Sequence, residues 1–187
     1  MAAFSSATLF LINSPATYLR ANGESPFFTI PVDLNANGFF AGDTVILSRV
    51  GSYNELGGPS PTAFGLSGVF SSTNVILPSP ILNRIPGAIA TAAPNWVSPN
   101  TAVGNLSTDI AEDFHICDFS GAPNGITLTI PTGALYIFAS AEDNFFSDNN
   151  NTPELWLQIS KPVPEPMTLA TLGFGAICLL RRRVRKG

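Results

Sequence analysis

Sixteen glycines and sixteen prolines punctuate the 187 residues, and no stretch before residue 163 sustains a helical period. Proline removes a backbone donor and glycine loses the most backbone freedom on folding, so a chain cut this often is restricted to short elements. The runs between the cuts are β-branched or aromatic: residues 26–32, 43–50, 68–70 with 75–77, 114–117, 126–130, 134–138 and 154–159. Ile126, Leu128 and Ile130 alternate with Thr127 and Thr129, and Leu155, Leu157 and Ile159 alternate with Trp156 and Gln158. Such alternation gives a strand one buried and one wetter face. Many short strands with turn signals between them predict an all-β chain, an antiparallel β-sandwich or jelly roll.

Composition excludes several other classes. Charged residues are 12% of the chain and only two are lysines, too few for a helical bundle or coiled coil. Fourteen Phe and a mean hydropathy of +0.25 argue against disorder. With a pI near 4.8 the body has no basic face for nucleic acid.

The charge is unevenly placed. Residues 1–162 carry a net −8 and residues 163–187 a net +4. Residues 167–180 hold no charge, and Arg181, Arg182, Arg183, Arg185 and Lys186 follow at once. As a helix, those uncharged residues span about 21 Å; extended back to Val163 they approach the roughly 30 Å of a hydrocarbon core. The basic cluster stays cytoplasmic, which places the body on the other side. The segment is therefore expected to form a single C-terminal membrane-spanning helix.

The order of Pro164-Glu165-Pro166, an apolar stretch with Gly173 and Gly175, and the cluster headed by Arg181, Arg182 and Arg183 resembles a PEP-CTERM sorting signal. That resemblance implies a Gram-negative-type or cyanobacterial protein and an exosortase partner. It also implies membrane anchoring before processing, then delivery to the cell surface or an extracellular polysaccharide matrix. Such proteins carry an N-terminal signal peptide. Here residues 1–17 are apolar enough in part, with Ser14-Pro15-Ala16 as a cleavage-like site, but have no Lys or Arg in the n-region. They read as a degenerate signal or as a chain started too far downstream. The expected organisation is residues 1–17 as that signal region, 18–161 as the sandwich, and 162–187 as the sorting and anchor segment.

Cys117 and Cys178 offer no disulfide framework, because Cys178 falls in the apolar tail. Cys117 reads as a small buried hydrophobe.

Residues 142–154 hold Glu142, Asp143, Asp148 and Glu154 with Asn144, Asn149, Asn150 and Asn151, between two strands. Closely spaced oxygen ligands suit Ca²⁺, which takes six to eight oxygens in flexible geometry. Asp and Asn are equally the default residues of a solvated turn. Both readings stand on composition.

The body also resembles the bacterial galactophilic calcium lectins, over residues 18–161. The matching segments are 21–23, 41–47, Gly51-Ser52-Tyr53, 82–87, 133–137, 143–151 and 155–159. The resemblance implies a calcium held by Asp143, the Ser147 carbonyl, Asn150, Asn151 and the Tyr53 carbonyl. It implies sugar hydroxyls hydrogen-bonded by Asp143 and Asn150, with Phe145 or Phe146 available for stacking. The chain departs from the family in two places: residues 54–68 lack its His and Gln, and Pro153 replaces a Gly.

Catalysis finds no support in the residues. Asp113, His115 and Cys117 are spaced to share a strand face, yet the sole His has no second His partner. Glu112 and Asp113 are adjacent and diverge on a strand, so they form no glycosidase pair. The chain reads as a non-enzyme: an exported protein with a calcium-dependent carbohydrate-binding sandwich, or a structural envelope or matrix protein without ligand.

Overall fold

A computed structural model describes residues 7–18, 28–55, 62–76, 85–91, 102–103, 106–107, 110–118, 120–143 and 145–163. The sorting motif and Arg cluster (Pro164, Glu165, Pro166, Arg181, Arg182, Arg183) lie outside the described residues, as does the expected spanning helix. Among the described residues no helix is long and apolar enough to cross a membrane.

The chain is all-β and antiparallel, with two 3-10 turns as its helical elements among the described residues. In order the strands are β1 (Thr8–Ile12), β2 (Val32–Asp33), β3 (Thr44–Gly51), β4 (Tyr53–Asn54), β5 (Thr62–Ala63), β6 (Leu66–Ser71), β7 (Ala88–Ile89), β8 (Ala102–Val103), β9 (Leu106–Ser107), β10 (Phe114–Cys117), β11 (Gly125–Thr129), β12 (Tyr136–Ala141) and β13 (Leu155–Ser160). One sheet runs β1-β13-β3-β11; the other runs β10-β6-β12-β2, with β7 beside β6.

The alternating runs form the first sheet. Leu155, Leu157 and Ile159 of β13 are fully buried, while Trp156, Gln158 and Ser160 are half-buried. They pack with Val45, Leu47 and Leu128 against Leu66, Phe70, Phe114, Ile116 and Ile137 of the second sheet, giving one core from both inner faces. Each of these large side chains contributes about 1.5–3 kcal/mol by leaving water.

The second sheet is buried on its other face as well. Val69 and Phe138 are register partners on β6 and β12, and they pack with Tyr18, Ile85, Ile110 and Phe146 in a separate cluster. Loops supply that cover, which is why all six residues of β6 are buried.

One segment gains a place in the sheet, and two expectations change. Residues 8–12 are not set apart from the sandwich: β1 pairs with β13 over its whole length, and Ser14, Ala16, Thr17 and Tyr18 are buried. Residues 8–12 are thus the edge strand of the first sheet among the described residues. Val75 and Ile76 are not strand, because the chain leaves the sheet after Ser71. The alternation of Asp113, His115 and Cys117 breaks at a register shift between His115 and Cys117. That shift turns Cys117 into the main core beside Phe114 and Ile116.

Candidate functional site

Residues 142–154 join β12 to β13, and those strands lie in different sheets. The segment is thus a crossing from one sheet to the other and not a hairpin. Crossing requires it to run over the end of the core, so Glu142, Asp143, Phe146 and Asn149 are buried. Phe146 anchors it in the outer cluster of the second sheet, which removes that ring from any stacking role; Phe145 is 47% exposed.

A second segment reaches the same place through a glycine turn. Gly51 has φ +82°, and a Cβ there would stand 1.9 Å from the Glu154 carbonyl oxygen, so only glycine fits. The turn leads into β4, where Asn54 and Asn150 form a β-bridge: Asn54 N–H donates to Asn150 O at 3.3 Å and Asn150 N–H to Asn54 O at 2.9 Å. The Tyr53 ring is buried below, and its hydroxyl donates to the Glu142 carbonyl. Burial pushes the Tyr53 hydroxyl far above its ordinary value, with Asp143, Glu142 and Glu55 adding to the shift, so it is a fixed donor.

Acidic groups crowd the junction. Glu55 follows β4 directly, and its carboxyl is raised by burial and then by the neighbouring Asp148. Asp148 is itself raised by burial. Glu142 Oε2, Asp148 Oδ1 and Asn149 Oδ1 are buried oxygens with no hydrogen-bond partner among the described residues. Buried acceptors in that state carry a desolvation cost of about 1–3 kcal/mol each.

The five residues of the expected calcium set divide between these features. Tyr53, Asp143 and Asn150 come together at the junction, and Ser147 is exposed in the turn above them. Asp143 Oδ1 accepts from Phe145 N–H at 3.2 Å, and Asn150 Oδ1 accepts from Thr152 N–H at 3.0 Å. Asn151 turns the other way. Its Oδ1 accepts from Ser14 N–H at 2.7 Å and Ser14 Oγ–H at 2.9 Å, and its amide donates to Asn13 Oδ1 at 2.5 Å. Asn149 completes that clamp by donating to Ser14 O at 3.2 Å.

The structure adds Glu55, Gly65 and Ser67, which the sequence reading passed over, and gives His115, Cys117 and Glu142 partners it did not foresee. Glu55 joins the acidic group, and its only signal was its place two residues after Tyr53. His115 Nδ1 lies in close contact with Glu142 Oε1, to which Ser67 Oγ also donates. Gly65 makes room for this, since a Cβ there would stand 2.8 Å from Glu142 Cβ. Cys117 Sγ lies 3.4 Å from Arg49 Nε, but burial holds the thiol above its ordinary value. Among the described residues no three His, Cys, Asp or Glu side chains converge as a metal-holding group. The expected set instead draws on amide and carbonyl oxygens, and hard oxygen donors are what calcium takes. The orphaned buried oxygens and mutually repelling carboxyls fit a cation better than they fit an anion.

No protein-family model, curated protein or solved structure matches the chain.

Proposed function

We propose that the chain is an exported, exosortase-sorted surface or matrix protein. Its β-sandwich binds carbohydrate through a calcium held at the inter-sheet crossing. The observation that carries the ligand half is the bridge between Asn54 and Asn150, which joins the Tyr53 segment to the acidic crossing. Asp143, Asn150 and the Tyr53 and Ser147 carbonyls would hold the ion, with Glu55 and Asp148 adding negative charge beside it. Bound calcium supplies coordination positions that vicinal sugar hydroxyls can occupy. Asp143 and Asn150 orient those hydroxyls by hydrogen bonds, and the exposed Phe145 offers an apolar face. The sorting half rests on residues 163–187, which would form the spanning helix and be removed after Pro164-Glu165-Pro166 is read.

The test of the ligand is thermal unfolding of the full chain in mild detergent, with calcium and with chelator. At a hundredfold excess over Kd, binding adds about 2.7 kcal/mol, a shift of several degrees. The shift should vanish in Asp143→Ala, and a glycan array with and without chelator then identifies the sugar class. An unchanged melt would leave the second reading, a structural matrix protein. That reading is favoured by the clamp of Asn149 and Asn151 on Ser14, which makes the crossing a strut in its own right. For sorting, replacing Glu165 or the Arg181–Arg183 cluster should leave an unprocessed, membrane-retained chain when an exosortase is co-expressed.

A further inference from the structure

Strand β1 stands at the edge of the first sheet among the described residues. It is joined to β13 alone among the described residues, with a regular five-residue register and no bulge. Exposed edges are normally guarded by Lys, Pro, an inward charge or a bulge, and Thr8-Leu9-Phe10-Leu11-Ile12 has none of these. Leu9 and Leu11 are 48% and 54% exposed. Phe10 points the other way, partly buried against the main core.

We propose that β1 forms an antiparallel pair with β1 of a second copy, about a two-fold axis at Phe10. Leu9 and Leu11 flank that residue symmetrically, while at the two ends Thr8 meets Ile12. Leu9 of one copy therefore faces Leu11 of the other on the outer face, and Phe10 faces Phe10 on the inner one, closing the open edge of both cores. Such apolar cross-strand pairs are the unit of sheet stabilisation, and an isologous contact needs this self-complementarity.

Charge limits where two copies can meet. Residues 1–162 carry a net −8, so two copies repel over most of their surface. Trp156 and Gln158 of the neighbouring β13 are uncharged, as are Val50 and Ser48 of β3 beyond it. A cationic partner would be drawn to the acidic crossing instead. The pairing joins two four-stranded sheets into one of eight. It also sets the two Ser14 turns about 26 Å apart, at roughly 3.3 Å per residue, on opposite sides of the axis. A five-residue pair buries less than a standard interface, so the association belongs to the weak class.

The test is sedimentation equilibrium of the full chain in mild detergent across the micromolar range, beside the L9K/L11K double variant. Wild type should reach twice the chain mass, and the variant, which sets lysines opposite one another, should stay at one. Cysteine cross-linking checks the register without relying on that variant. In a C178S background, a mixture of L9C and L11C chains should oxidise to a covalent dimer faster than either chain alone. Directly opposed positions are about 5 Å apart, and diagonal ones about 7–8 Å. A wild-type chain that stays at one mass throughout, a dimer equally formed by L9K/L11K, or a mixture no faster than its components would overturn the pairing.

Discussion

Strands β13 and β6 are both six residues long, yet one alternates between buried and half-buried positions and the other is buried throughout. The difference is not in the strands' pairing, since each has antiparallel neighbours on both sides. It lies in what crosses their outer faces. Tyr18, Ile85, Ile110 and Phe146 of the crossing lie over the second sheet, so Val69 and Phe138 see protein on a side where Trp156 and Gln158 meet water. The same crossing carries the candidate site. Cover and site are one construction, and a loop that must bury Phe146 cannot also keep all its oxygens hydrated.

The sharpest way to break the comparison is to cut matched aromatics on the two outer faces. Phe138→Ala should cost about 3–5 kcal/mol, the range for a fully buried aromatic, whereas Trp156→Ala should stay within about 1 kcal/mol. Urea midpoints measured on both variants decide it, and equal losses would mean that the first sheet is covered too.

Next comes the buried polar pair under the crossing. His115→Ala leaves Glu142 at 1% exposure with Ser67 but without its ring partner. Leaving a buried acceptor without one of its contacts costs about 1–3 kcal/mol, and a urea midpoint reads the loss. Lys161→Ala breaks the exposed contact to Asp43 and should leave the melting curve unchanged.

The clamp is smaller. Asn151→Ala removes both hydrogen bonds to Ser14 and should cost about 1–2 kcal/mol. Hydrogen exchange should then rise in β1 before it rises in β6, because the clamp fixes only the edge of the first sheet.

The smallest effect sharpens the electrostatics. Glu55 is raised above its ordinary 4.5, so the folded state holds the proton more tightly than the unfolded chain does. Wild type without calcium therefore loses stability as pH rises from about 4.5 through that raised value. Glu55→Gln removes the titration. It should match wild type near pH 4.5 and exceed it at pH 7 by about 0.5 kcal/mol, a figure held low by solvent screening. With calcium present the order should reverse, because the carboxylate then has a cation to face.

Much of the first sheet was legible. The Thr/Ile alternation of 126–130 and the Leu/Trp alternation of 154–159 mark strands with one buried face, and both appear within a residue of the expected bounds. β1 was obscured because an apolar N-terminal run with a following Ser-Pro-Ala reads equally as a leader. Its pairing with β13, more than 140 residues away, leaves no local trace in the sequence. The acidic crossing was visible as a cluster of oxygen ligands. Its direction was not, since neither composition nor spacing says that β12 and β13 belong to different sheets. Glu142 illustrates the loss: it directly follows β12 in sequence, while its contacts are His115 on β10 and Ser67 on β6.

By itself the sequence determined the all-β antiparallel class and the alternating strands. It also determined the split between an acidic body and a basic-tailed apolar segment, because these depend on local period, turn residues and charge count. Only the tertiary structure decided which outer face is covered, where Asn151 points, and which carboxyls repel one another. Those outcomes depend on contacts between residues far apart in the chain, where the free energy of burial and hydrogen bonding is set by the partner and not by the residue's neighbours in sequence.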